Sequence, residues 1–268
     1  MRQYPRNGFA RRDDMERTEV VQAIDELQSF ETRLRYRVSN YWNRRWEYPF
    51  LMAASQSASF GLALDAGCGK SVLPFWLAHR GNRVIALDID DGSFYSRGEV
   101  GDFYHSRSAA HNGELSFVEG SLYSIPFPDE TFDAVFSVSV LEHLEMPTAA
   151  IGELVRVLRP GGLVVVTIDV SLDDRRQMTL ENLDSCICSL EGAGSPLFPR
   201  IDVPDNDLMT TDWYLLHEPS ALPWRLRKRS WSERIGAILS GHPDQAGPSQ
   251  GTFFSMGVVG LAYLKTSD

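Results

Sequence analysis

Residues 62–71 read LALDAGCGKS, an apolar run that ends on Asp65 and is followed by Gly67 and Gly69 alternating with Ala66, Cys68 and Lys70. A strand that stops on an acid and passes into so bare a turn leaves backbone accessible at one spot. Tight turns use such stretches, and so do ligand-binding loops. The surroundings decide between these uses. Apolar runs at 62–65, 83–88, 115–119, 132–138 and 163–169 are short and mostly rich in Val, Ile and Leu, the composition of strands covered on both faces. Helical patterns lie between them at 72–79, within 92–110 and at 147–158, the last stopped by the RPGG of 159–162. This alternation predicts an α/β fold built on a doubly wound, Rossmann-like sheet.

In such sheets ligands bind beyond the carboxyl ends of the strands, where strand order reverses. Asp65, Asp88, residues 119–122 and residues 136–140 all lie at or just past strand ends, so four separated stretches converge on one crevice. A carboxylate at Asp88 can accept hydrogen bonds from both ribose hydroxyls of a nucleoside, and one at Asp65 can accept from a cationic amine. A dinucleotide would call for Gly-x-Gly-x-x-Gly. Val72 stands three residues beyond Gly69, so that fingerprint is not met.

The stretches LDAGCGKS, VIALDID, FVEGSLYSIPFPDETFDAVFSVSVLEHL and RVLRPGG, in this order between residues 61 and 169, resemble the successive motifs of class I S-adenosylmethionine-dependent methyltransferases, in particular their small-molecule branch. The resemblance implies a seven-stranded sheet whose last strand is antiparallel, for which SMGVVGLAYLK at 255–265 is the candidate. It also implies S-adenosyl-L-methionine as cofactor. Position by position, Asp65, Ala66, Gly67, Cys68 and Gly69 match the cofactor loop and Asp88 the ribose-binding acid. Ile89 matches a contact to adenine, Ser121 and Leu122 the adenine-side pair, and Ser137 the end of the fourth strand, where cofactor and acceptor meet. Two positions depart from the pattern: Ser71 stands where a third glycine is usual, and Ser121 where an aspartate is usual.

Methyl transfer to a hydroxyl needs alignment of the acceptor and removal of its proton. Glu142 and His143, in VLEHL, are the catalytic candidates; the competing reading has them brace the following helix. His105 and His111 read as surface residues, and His217 and Glu218 are open in role. RRWEYPF at 44–50 is a candidate lid, with Trp46 or Tyr48 against the acceptor or cofactor, or else plain core packing. The acceptor expected is a small or medium-sized metabolite, most simply a hydroxyl of a sugar, glycan or natural product. A catalytically silent methyltransferase-like protein is the alternative from another class, and an NAD(P)-dependent oxidoreductase a more distant one.

The remaining features set limits. The 268 residues carry 26 Lys plus Arg against 36 Asp plus Glu, a formal charge of -10 that offers no general field for nucleic acid. Basic residues gather locally at 2–17, 33–45 and 224–231, read as solvated faces. Three cysteines make neither a disulfide framework nor a zinc set, so no metal is expected and a reducing cytoplasm fits. No secretion signal and no membrane span is expected, and nothing bears on oligomeric state. Residues 1–58 are read as an N-terminal arm, loose over its first ten residues, and a helical cap with apolar positions at 20, 23, 24, 27, 30, 34 and 38. Residues 59–268 are read as the methyltransferase domain, in which C-terminal insertions at 170–250 decorate the acceptor side. Within these, 179–190 and 231–239 are expected to be helical and 192–207 a loop.

Overall fold

Apolar residues alternate along the central strands and so supply two buried faces. Ala63, Val84, Ala86, Ala134 and Phe136 meet one helical layer, whereas Leu64, Ala66, Leu87 and Val135 meet the other. The structure, a computed structural model, describes residues 4–38, 41–57, 60–93, 95–107, 114–174, 176–202, 207–217 and 255–267. The strands are β1 (Gly8–Phe9), β2 (Leu62–Ala66), β3 (Arg83–Asp88), β4 (Leu115–Glu119), β5 (Phe132–Val138), β6 (Leu158–Ser171), β7 (Gly194–Pro196) and β8 (Met256–Lys265). The helices are α1 (Thr18–Leu34), α2 (Arg44–Gln56), α3 (Leu73–His79), α4 (Glu99–His105), α5 (Pro147–Val157), α6 (Leu180–Ala193) and α7 (Thr211–His217).

One sheet runs in the order β1-β8-β6-β5-β2-β3-β4, with β7 also paired to β8. Strands β2 to β6 are parallel and β8 is antiparallel to β6, as the resemblance implies. Helices α1 to α4 pack on one face of the sheet and α5 and α6 on the other. Connections leave β2 toward β3 on one side and return to β5 on the other, which places the reversal of order at the carboxyl ends of β2 and β5.

Three local readings are corrected. Residues 4–10 are not a loose arm: Gly8 and Phe9 pair with Gly260 and Val259 of β8. Buried Arg6 donates to both carboxylate oxygens of buried Asp14, at 2.9 and 2.7 Å. β6 begins at Leu158, directly after α5, so the RPGG turn that stops the helix is already part of the strand. Part of the expected loop at 192–207 is the end of α6 and strand β7. The final apolar run is one unbroken strand, and Gly260 serves close packing there. A Cβ at Gly260 would lie 2.7 Å from the Phe50 ring. The expected helix at 231–239, the basic run at 224–231, His111, Glu218 and the side chain of His217 lie outside the described residues.

Candidate active site

The turn after β2 is pinned from beneath, because the N–H groups of Gly67 and Cys68 both donate to the Leu87 carbonyl on β3, at 2.8 and 2.9 Å. Gly67 has φ +75°, and a Cβ there would lie 2.6 Å from Cγ1 of Val140. The fold itself therefore excludes a side chain at Gly67, whatever ligand approaches. Gly69 donates its N–H to Oδ2 of Asp88 at 2.8 Å, which turns that carboxylate toward the loop. The Tyr95 ring covers Gly69, its nearest atom 3.3 Å from where a Cβ would be, and the Lys70 ammonium lies 4.8 Å from the ring centroid. Lys70 also pairs with Glu99.

Asp65 is buried, and neither carboxylate oxygen completes a hydrogen bond of good geometry. Burial, then the nearby Asp88, pushes its carboxyl up to about 7, while Ser71 and Arg44 pull the other way. Burial likewise holds the Cys68 thiol well above its usual range, with Asp65 and Asp88 adding to the effect. Ile89 leaves 43% of its surface exposed beside Asp88, available to a flat ring. Residues 88–93, Tyr95 and Val100 line a shallow, half-open crevice.

The other expected contacts divide. Ser121 accepts the N–H of Tyr123 at 3.1 Å within a tight turn, and the side chain of Leu122 is buried in the sheet face beneath. Leu122 can thus offer a ligand only its backbone. Ser137 donates to the Ala66 carbonyl at 3.0 Å, tying the ends of β5 and β2 together. Trp46 is core: its indole donates to Asp14 at 2.9 Å and stacks on Phe50. Tyr48 reaches the turn instead, its hydroxyl 3.0 Å from Ser71 Oγ. His105 lies in the last turn of α4, away from these strand ends.

Sequence reasoning missed a polar cluster contributed by α2 and the ends of β5 and β6. Buried Glu47 accepts from Ser139 Oγ at 2.5 Å, from Thr167 Oγ1 at 2.7 Å and from Arg44 at 2.7 Å. Ser139 takes a positive φ of 51° to make this contact, with its N–H on the Thr167 carbonyl. Asn43, the N-cap of α2, donates to Asp169 Oδ2 at 3.0 Å. Asp169 Oδ1 and both carboxylate oxygens of Glu142 are buried with no hydrogen-bond partner. The available signal was the spacing of Asn43, Arg44, Glu47 and Tyr48, which puts polar groups on one side of an aromatic helix. Among the described residues no group of three or more His, Cys, Asp or Glu is arranged to hold a metal ion.

Residues 64–166, which span β2 to β6, match the family model of the methyltransferase domain. The chain carries a class I S-adenosylmethionine-dependent methyltransferase domain. The chain is 34% identical over 128 residues to a Mycolicibacterium smegmatis protein named "probable S-adenosylmethionine-dependent methyltransferase", covering 48% of this chain and 45% of that protein. It is 27% identical over 175 residues to a sterol 24-C-methyltransferase of Gibberella zeae, covering 56% and 43%. The chain therefore spans under half the length of these curated relatives. Phosphoethanolamine N-methyltransferase 2 of Haemonchus contortus, solved with S-adenosyl-L-methionine, shares the fold of the domain. Its TM-score is 0.55 at 17% identity, covering 96% of this chain and 60% of that one. No helix among the described residues is long and apolar enough to cross a membrane.

Proposed function

We propose that the chain transfers a methyl group from S-adenosyl-L-methionine to a small or medium-sized metabolite, with a hydroxyl of a sugar, glycan or natural product as acceptor. One observation carries the reading: Asp65 presents two buried carboxylate oxygens that lack good partners, at the end of β2 and directly beneath a glycine turn. Leaving such groups without a donor is costly, and an ammonium group of the cofactor would supply one. The residues fit the cofactor on further counts. Asp88 closes β3 with a carboxylate already turned toward the loop. Ile89 offers an exposed apolar face next to it.

When bound, the cofactor supplies an activated methyl group on a sulfonium. The chain contributes position: the glycine turn and Asp65 hold the amino-acid end, Asp88 the ribose, and the ends of β5 and β6 the acceptor. The relatives named above have carbon and nitrogen acceptors in their names, so the hydroxyl reading rests on the groups of this cleft. Calorimetric titration with S-adenosyl-L-methionine tests the proposal. Asp88→Ala should weaken binding about ten- to a hundredfold, the worth of charge-assisted hydrogen bonds at roughly 1.5 to 3 kcal/mol. Unchanged affinity in a folded Asp88→Ala protein would contradict the assignment.

A further inference from the structure

Three carboxyl groups, Glu47, Glu142 and Asp169, meet at the carboxyl ends of β5 and β6, and the Arg44 guanidinium bonded to Glu47 is the neighbouring cation. Glu47 is saturated by three donors. Asp169 is held at Oδ2 by Asn43, which leaves Oδ1 buried and unpartnered, and the Glu142 carboxyl is buried and unpartnered at both oxygens. A carboxyl fixed at one oxygen and open at the other is oriented for proton transfer, and buried oxygens left open call for a ligand that can donate to them.

We propose that Asp169 takes the proton of the acceptor hydroxyl at Oδ1, and that Glu142 is its neutral partner, which donates a hydrogen bond to the same hydroxyl. This rests on the methyltransferase reading and extends it to the acceptor subsite. Two buried carboxyls that feel each other's charge cannot both ionise at low cost, so the pair keeps one proton. Burial, then Glu47, pushes Asp169 up to about 7 against the pull of Arg44 and Asn43. Glu142 is held well above the usual carboxyl range by burial, then by Asp169 and Glu47. Asn43 donates to Asp169 and steadies its anion, whereas Glu142 has no donor at either oxygen, so Glu142 keeps the proton and Asp169 ionises first. A hydroxyl both donates and accepts, which matches one carboxylate and one carboxylic acid. An ammonium only donates and would face the Glu142 proton.

The step balances. The hydroxyl oxygen bonds to the methyl carbon as the methyl–sulfur bond breaks, its electron pair staying on sulfur, and the hydroxyl proton moves to Asp169 Oδ1 and from there to water. The charged and titratable groups around the pair are Arg44 and Glu47 on α2 and His143 on the turn that carries Glu142, with Arg176 beside His143. His143 is largely exposed, and desolvation of its ring, followed by Arg44 and Arg176, lowers its pKa.

Infrared titration of the carboxyl bands, on the protein without acceptor, decides the pair. The wild type should show a carboxyl that ionises near neutrality and is lost in Asp169→Asn, beside the one from Asp65, which stays in both proteins. It should also show another that stays protonated through neutrality, absent in Glu142→Gln. Asp169 and Glu142 both already ionised in weakly acidic solution would overturn the proposal, whether or not an acceptor is known. The second arm follows label from deuteromethyl S-adenosyl-L-methionine into a metabolite extract. Wild-type transfer should rise with pH through neutrality, and Asp169→Asn should lose about 100-fold or more together with that limb. The variant should keep its calorimetric affinity for S-adenosyl-L-methionine, and Asp169→Glu should recover part of the rate. Transfer and its pH limb retained in Asp169→Asn would sink the proton-acceptor role. A wild type that binds no S-adenosyl-L-methionine would instead refute the methyltransferase reading and leave the infrared result standing.

Discussion

Gly67→Ala should destabilise the protein by about 2 to 5 kcal/mol without any ligand present. Two contributions make up this figure. At φ +75° an alanine accepts a left-handed conformation, which costs about 1 to 2 kcal/mol. The added methyl would sit 2.6 and 2.7 Å from the two Val140 methyl carbons, and forcing a packed side chain aside costs about 1 to 3 kcal/mol. Urea unfolding followed by tryptophan fluorescence measures the sum, since Trp42, Trp46 and Trp76 are all buried. Val140→Ala in the same chain separates the parts. The overlap should vanish in the double variant, giving a coupling of about 1 to 3 kcal/mol, while the dihedral cost remains. A Gly67→Ala protein as stable as wild type would refute the reasoning, and so would a double variant no better than the sum of the singles. The first result would return the glycine to the role read from sequence alone, that of clearing space for the cofactor.

Glu47→Ala removes three hydrogen bonds and leaves Arg44 without its partner, so it should cost about 3 kcal/mol or more by urea unfolding; a loss below about 1 kcal/mol would show the cluster to be slack. Asp169 in the folded protein titrates at about 7 against an ordinary carboxyl value near 3.8, so the native state binds the extra proton between these values. Its contribution is thus fully present in acid and is lost as pH rises through about 7, on the order of 4 kcal/mol at most. Thermal melts should show Asp169→Asn gaining on wild type as pH increases across that window, and a constant difference would contradict the shift. Alkylation mapped by mass spectrometry should label exposed Cys188 first and spare buried Cys68 and Cys186, whose thiols burial pushes up. Early labelling of Cys68 would show the turn to be open.

The parallel strands were legible because each is a short apolar run that finishes on a turn residue, and β2 to β5 begin where that pattern begins. Asp65, the two glycines and Asp88 were legible for the same reason, since strand ends place them. β1 was not, because two residues, Gly8 and Phe9, carry no periodicity and their pairing depends on partners at the far end of the chain. Glu47 was hidden differently: it sits between Trp46 and Tyr48, whose aromatic character dominates any local reading, and its function as a hub appears only when Ser139 and Thr167 are brought to it by β5 and β6. Ser137 and Leu122 were placed at the right strand ends. Which atoms they turn toward the crevice depends on the pleat and on neighbours that spacing does not reveal.

The position of β8 governs the order in which the molecule can be assembled. This strand lies between β6 and β1, so residues 8–9 have no sheet to join until residues 256–265 have left the ribosome. At typical rates of about 5 to 20 residues per second, Gly8 and Phe9 wait on the order of ten seconds or more for their partners. During that interval one edge of β6 is free, and a deletion that removes β8 would leave that edge open and β1 and β7 without a sheet partner at once.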